Sequence, residues 1–236
     1  MKKLFATALS IGAFAIASEA ALAQNSNAVF AGVNAGRNIN YGYLGAATAL
    51  NGNIEKDGVL LRVAGAYGQY TYQTPAVTGG GVRGQITSSD LMAGYQHNFG
   101  FGRATIYAGG TYENYDLNKG DNGNRVAGGK AGGKGQFELS LNLTKSLVFQ
   151  NVSNYSSPYH SYWSQSYLGW DFGKFTFGPE VAFLGNTTFN QQRFGAQFAN
   201  LDVGIGKVYV GGGYLKSSGM LGNDGGYVSA GITSKF

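Results

Sequence analysis

The sequence predicts an all-β protein: a transmembrane up-and-down antiparallel β-barrel of about twelve strands. Three observations lead there. Hydrophobicity alternates with a period of two along most of the chain. Charged residues make up only 12%, while glycine accounts for 40 of 236 residues and proline for 3; soluble domains carry about twice that charge. The connections between alternating stretches are short and long by turns, as in a sheet threaded back and forth across a bilayer.

The chain opens on something other than a strand. Lys2 and Lys3 precede an apolar run from Leu4 to about Ala17, and small residues close it at Ala21-Leu22-Ala23. A basic start, a short apolar stretch and an A-x-A ending form a secretory signal. Residues 1–23 are therefore expected to be cleaved near Ala23, leaving a single barrel domain over 24–236. A retained anchor is the weaker alternative, because the apolar run is short for a bilayer. Cysteine is absent, so no disulfide supports the exported chain. The net charge of +5 comes without a basic run, which leaves nucleic-acid binding unsupported.

Alternating segments follow near 27–36, 39–50, 58–73, 86–99, 103–117, 134–144, 147–156, 159–172, 175–185, 191–203, 207–217 and 226–236. In the third, Val59, Leu61, Val63 and Tyr67 oppose Arg62, Ala64, Ala66 and Gly68. In the fifth, Ala104, Ile106, Ala108 and Tyr112 oppose Arg103, Thr105, Tyr107 and Glu113. The sixth is the clearest: Phe137, Leu139, Leu141 and Leu143 share one face, and Gln136, Glu138, Ser140 and Asn142 the other. A helix would scatter those four apolar side chains, whereas a strand gathers them. The ninth sets Phe175, Phe177, Val181 and Phe183 against Thr176, Gly178 and Glu180, and the eleventh aligns Val208, Val210 and Tyr214.

Four connections are short: Gly100-Phe101-Gly102, Thr144-Lys145-Ser146, Phe172-Gly173-Lys174 and Gly204-Ile205-Gly206. Interleaved with them are TPAVTGGGVRG, NKGDNGNRVAGGKAGG and SSGMLGNDGG. Outer-membrane barrels place short turns in the periplasm and long loops outside. NGNIEKDG is long for the short side, and GRNIN is short for the long side. The last segment places Val228, Ala230, Ile232 and Phe236 on one face. It resembles the C-terminal signature that the barrel assembly machinery reads in outer-membrane proteins, with Phe236 as the assembly signal and Ser234 as a departure from the usual pattern. A soluble β-sandwich would share the alternation, but not the aromatic strand ends or the loop asymmetry.

On this pattern the polar face lines the lumen. Arg62, Asp90, Arg103, Glu113, Glu138 and Glu180 are the lumen-facing candidates. Facing lipid, each would be costly near the bilayer midplane; inside, opposite charges are expected to pair. Small inward residues, among them Gly94 and Gly109, are expected to make room for Tyr70, Tyr107 and Trp163, giving a filled lumen instead of a wide channel. Tyr41, Tyr43, Tyr70, Tyr72, Tyr159 and Trp163 gather toward outer strand ends. They are candidate saccharide-contact aromatics, set against the ordinary role of a membrane aromatic belt.

Catalysis finds little support. His160 lies near Ser161, Ser164 and Ser166, so a Ser–His pair is conceivable, but His97 belongs at the opposite rim and no hydrolase motif surrounds either. GGKAGGKGQ lacks the GK[ST] ending of a phosphate loop and reads as a flexible loop. Metal-ligand spacing is absent, and no cofactor or metal is expected.

Longer strings carry a family likeness. YGYLGAATALNG, KDGVLLRVAGAYGQYTYQT, DLMAGYQ and YDLNKGDNGNRVAGGKAGGKGQFE resemble the BcsS family of cellulose-biosynthesis proteins. The resemblance runs from about Tyr41 to Phe236 and is strongest over Leu50–Tyr72 and Asp116–Glu138. It implies a non-enzymatic outer-membrane protein that is accessory to cellulose export or to anchoring the polymer, with cellulose or export components as partners. No residue carries over with a molecular role. A small diffusion porin for sugars or ions is the alternative, and a lipid-modifying hydrolase the third reading.

Overall fold

Twelve strands and no helix make up the computed structural model, which describes residues 25–236. The leader read at 1–23 lies outside the described residues. The strands are β1 (Asn27–Gly36), β2 (Ile39–Ala49), β3 (Gly58–Gln73), β4 (Gly81–Phe99), β5 (Gly102–Leu117), β6 (Gly128–Thr144), β7 (Leu147–Ser156), β8 (Ser161–Asp171), β9 (Thr176–Gly185), β10 (Phe189–Asp202), β11 (Lys207–Gly219) and β12 (Gly225–Lys235). Each pairs antiparallel with its sequence neighbours, and β1 pairs with β12 to close the barrel. Asn27 and Phe236 exchange two backbone hydrogen bonds at the seam, of 2.8 and 3.0 Å. The sheet therefore has no edge left to aggregate.

Two bounds depart from expectation. β4 begins at Gly81 instead of near 86, and β6 at Gly128 instead of near 134. GGKAGGKGQ is thus strand, not flexible loop: Gly128 to Gly135 pair with Tyr115 to Ala108. Glycine has no side chain to display an alternation, yet its N–H and C=O complete the ladder as well as any other residue's.

The outward rows are apolar and unburied. Leu44 and Leu91 are each 69% exposed, and Val63, Ile106, Val210 and Val228 are also exposed around the wall. Such a girdle has no place in water and suits hydrocarbon, where strands span only as a closed barrel. Tyr67, Tyr112, Tyr155 and Tyr214 stand outward near the long-loop rim. Phenylalanines crowd the opposite rim, where Phe177 and Phe198 lie 4.5 Å apart and Phe172 stacks on Phe175 at 5.3 Å. Two aromatic bands flanking an apolar belt mark the membrane boundaries.

Inside, glycines make room for tyrosines. A Cβ on Gly94 would collide with the Tyr107 ring, and one on Gly84 with the Tyr70 ring. Overpacking of this kind costs about 1–3 kcal/mol. Gly84→Ala is expected to lower stability by about that amount in urea unfolding from lipid vesicles. Gly110→Ala, where no atom lies within 4 Å, should leave the midpoint where it is.

Candidate functional site

The lumen holds a chamber lined by charged, polar and aromatic side chains, with packed clusters toward both ends. At the terminal end the turn 50–57 folds under the barrel. Ile54 packs with Leu60, Met92 and Tyr107, all buried. Gln96 Nε2 donates to the carbonyls of Ile54 and Lys56, each at 2.9 Å. Lys235 hydrogen-bonds Glu55, and Arg103 lies 3.7 Å from the same carboxylate. NGNIEKDG is therefore long because it is a plug. Burial pushes the Glu55 carboxyl up, but the hydrogen bond from Lys235 and the charges of Lys235, Arg103 and Lys207 outweigh that and hold it below the usual carboxylate range. Asp57 is lowered as well, first by the Asn98 backbone N–H at 2.7 Å, then by the Asn98 side chain and by His97.

At the other end an apolar cluster fills the mouth. It comprises Ile39, Tyr70, Tyr72, Val82, Ile86, Tyr115, Val126, Tyr159 and Leu221. The loop after β5 is pinned over it: Tyr72 Oη donates to Asp121 at 2.8 Å, and Asn124 Nδ2 donates to Tyr72 Oη at 3.1 Å. Tyr159 Oη donates to the carbonyls of Ala127 and Gly128. Tyr70, Tyr72 and Tyr159 are at most 8% exposed. They offer no ring to the exterior, neither as a sugar platform nor as a lipid-facing belt: register turns Tyr70 and Tyr72 inward, where they stack, and Tyr159, in the turn after β7, packs on Tyr115 in the same cluster. Tyr41, Tyr43 and Trp163 do line the chamber.

Between the plugs lies a cavity of about 570 Å³. Arg62, Asp90, Arg103, Glu113 and Glu138 line it, and Glu180 is buried in the lumen wall beside Gln165, but the six do not pair with one another as expected. Asp90 instead receives Lys134 Nζ and Thr111 Oγ1, each at 2.6 Å. Glu113 accepts from Ser161 Oγ at 2.8 Å, and Glu138 from Gln136 Nε2 at 2.6 Å. Glu180 accepts from Tyr227 Oη at 2.6 Å and Gln165 Nε2 at 2.8 Å. Neutral donors thus solvate most of these carboxylates, as buried charge demands. Arg62 lies 4.7 Å over the Phe30 ring, and its Nη1 has no hydrogen-bond partner.

Two lumen cations escape a reading of the sequence. Lys134 sits in the glycine-rich stretch that reads as loop. Arg193, 3% exposed, lies 5.4 Å from Trp163 and 5.2 Å from Tyr227 and donates to Gln191 and Asn34. The signal was there in β10: Gln191, Arg193 and Gln197 alternate with Phe194 and Phe198. The histidines stay apart from any serine nucleophile. His160 Nδ1 lies 2.6 Å from Tyr155 Oη, whereas Ser161 turns inward to Glu113. His97 lies at the terminal rim, 2.7 Å from Asp57. No cluster of metal-ligating side chains occurs among the described residues.

Two outcomes follow. Tyr227→Phe removes a donor from a buried carboxylate and should cost about 1.5–3 kcal/mol. Tyr214→Phe, whose hydroxyl meets Asp224 at the exposed rim, should cost much less in the same unfolding assay. The second concerns pH. Because the folded Asp57 carboxyl titrates below its unfolded value of about 3.9, its contribution is present above that pH and is lost as pH falls through the lower folded value. Exchange protection of the Asn98 amide should therefore hold at neutral pH and fall away below about pH 4, and in Asp57→Asn it should be weakened at neutral pH.

Comparison with known proteins places this architecture. LpxR from Salmonella typhimurium has a similar fold, with a TM-score of 0.51 at 13% identity over 89% of this chain and 100% of that one. The KdgM porin in complex with disordered oligogalacturonate gives a TM-score of 0.49 at 13% identity, over 89% and 99% of the two chains. Among curated proteins none matches in sequence. The family model for the cellulose biosynthesis protein BcsS matches residues 28–236, the whole barrel wall from β1 onward. The chain belongs to the BcsS family of cellulose biosynthesis proteins.

Proposed function

We propose that this chain is a non-enzymatic outer-membrane accessory of bacterial cellulose production that holds the polymer or its export components at the cell surface. Membership of the cellulose biosynthesis family supplies the pathway. The observation that carries the rest is that side chains pack across both ends of the lumen, Ile54 with Leu60 at one and Tyr72, Val126 and Tyr159 at the other. A lumen built this way favours a scaffold over a conduit. In this reading the leader is cleaved near Ala23, Phe236 is recognised during barrel assembly, and the surrounding lipid is the first partner. Tyr41, Tyr43 and Trp163 remain the candidate saccharide contacts, reachable only if a plug moves.

A small diffusion porin is the second reading, favoured by the chamber itself and by the unpartnered Arg62. One pair of measurements separates the two. As a scaffold, the refolded chain stays silent in planar bilayers, and its deletion lowers surface cellulose with outer-membrane permeability unchanged. Stepwise conductance by the intact chain would establish the porin instead. Normal surface cellulose in the deletion strain would remove the accessory role.

A further inference from the structure

Polar side chains enter the outward rows singly, as Ser89 does opposite Tyr112 and Gln192 opposite Phe183, but on β7 and β8 four of them gather in one patch. Register sets Asn151 and Ser153 of β7 opposite Ser166 and Ser164 of β8. Their outward direction follows from their neighbours. Trp163 and Gln165, which alternate with Ser164 and Ser166, reach Arg193 and Glu180 inside the lumen. On β6, Ser153 lies opposite Phe137, which in turn lies opposite the lipid-facing Ile106. On β9, Ser164 lies opposite Phe183. Four small polar side chains thus form the floor of a shallow trough, with Phe137 along one side and Phe183 along the other. In the same outward row, Tyr155 lies toward one rim and Leu147 toward the other, so the trough is at mid-span.

The four bond one another. Asn151 Nδ2 donates to Ser166 Oγ at 3.0 Å and to the Gln165 carbonyl at 3.2 Å. Ser153 Oγ lies 3.0 Å from Asn151 Oδ1 and 2.8 Å from Ser164 Oγ. Hydroxyls and amides retain further acceptor capacity beyond these bonds, and hydrocarbon offers nothing to use it. Small hydroxyl and amide side chains facing lipid are what interfaces within membranes select, because they allow close approach and cross-bonding.

We infer that this trough is the contact face of a homodimer, and that its occupant is the same trough of a second copy. Each of the four groups both donates and accepts, and none is charged, so the patch is complementary to itself under a two-fold axis. A charged partner would find no opposite charge there, and an acyl chain no use for the hydrogen bonds. A two-fold axis along the membrane normal brings the β6 side of one copy to the β9 side of the other. Phe137 of one copy and Phe183 of the other then border the same flank of the polar centre, with the strand tilt setting them at different depths. The inference rests on the barrel lying in a membrane and is independent of any role in cellulose production.

Since the natural chain has no cysteine, single replacements report cleanly. Two differently tagged full chains, Ser153→Cys and Ser164→Cys, are expressed together in the outer membrane and treated with a lipid-soluble oxidant. The expected result is a disulfide-linked dimer carrying both tags. Val63→Cys paired with Val210→Cys, both outward on other strands, should give none. Asn151→Leu combined with Ser153→Val should lower the dimer fraction of the cysteine-free chain about ten-fold or more in native mass spectrometry, the effect of losing roughly one or two buried hydrogen bonds. Heat-modifiable gel migration confirms that each variant is a folded barrel. Four outcomes would overturn the inference: no linked dimer from the trough pair, equal linkage from the control pair, an undiminished dimer in the apolar variant, or linkage to a protein of different mass.

Discussion

The constraint that organises this protein is that a backbone in hydrocarbon must satisfy its own hydrogen bonds. A sheet meets that demand only by closing on itself. Here closure falls to the pairing of β1 with β12, which runs from Ala28 opposite Lys235 to Gly36 opposite Tyr227. Once the seam is shut, each strand has two faces with opposite solvents. Outward positions must be apolar, and inward positions must fill a narrow lumen without stranding charge. The low charge content, the glycines facing tyrosine rings and the period of two are all consequences of that division.

The lumen shows how such a barrel stays closed without disulfides. Its carboxylates are held mostly by neutral donors, so that Glu113, Glu138 and Glu180 each sit beside a hydroxyl or an amide on the same or a neighbouring strand, or across the lumen. Several of these contacts tie strands far apart in sequence, such as Tyr227 to Glu180 and Arg193 to Asn34. The plugs add to this. One is a turn folded under the floor, and the other a loop pinned by Tyr72 over the opposite mouth. Together they pack both ends of the cylinder around the chamber.

How far the sequence disclosed this depended on side chains that differ between faces. Where Phe137, Leu139 and Leu141 alternate with Gln136, Glu138 and Ser140, strand and orientation were legible together. The same contrast placed Arg62 and Glu180 on the lumen face. The glycine-rich start of β6 offered no contrast, so it read as loop and Lys134 went unnoticed. Tyr72 and Tyr159 misled for a different reason: aromatic residues near strand ends suit a membrane belt, whereas register turns Tyr72 inward beside the already inward Tyr70, and the turn after β7 carries Tyr159 into the same cluster. On β7 and β8, polar residues occupy both faces from Asn151 to Ser166, so the outward patch there is visible only once Trp163 and Gln165 are seen to point into the lumen.

The central claim is that the outward rows are solvated by hydrocarbon while their neighbours are not. Nitroxide labels on cysteines introduced singly at Leu44, Leu91 and Val228, in the chain refolded into vesicles, test it most directly. The account predicts that dissolved oxygen reaches these labels freely and a water-soluble nickel chelate does not, with the contrast greatest at mid-span. Labels open to the chelate, on a chain that stays folded and monomeric without any lipid or detergent, would contradict it.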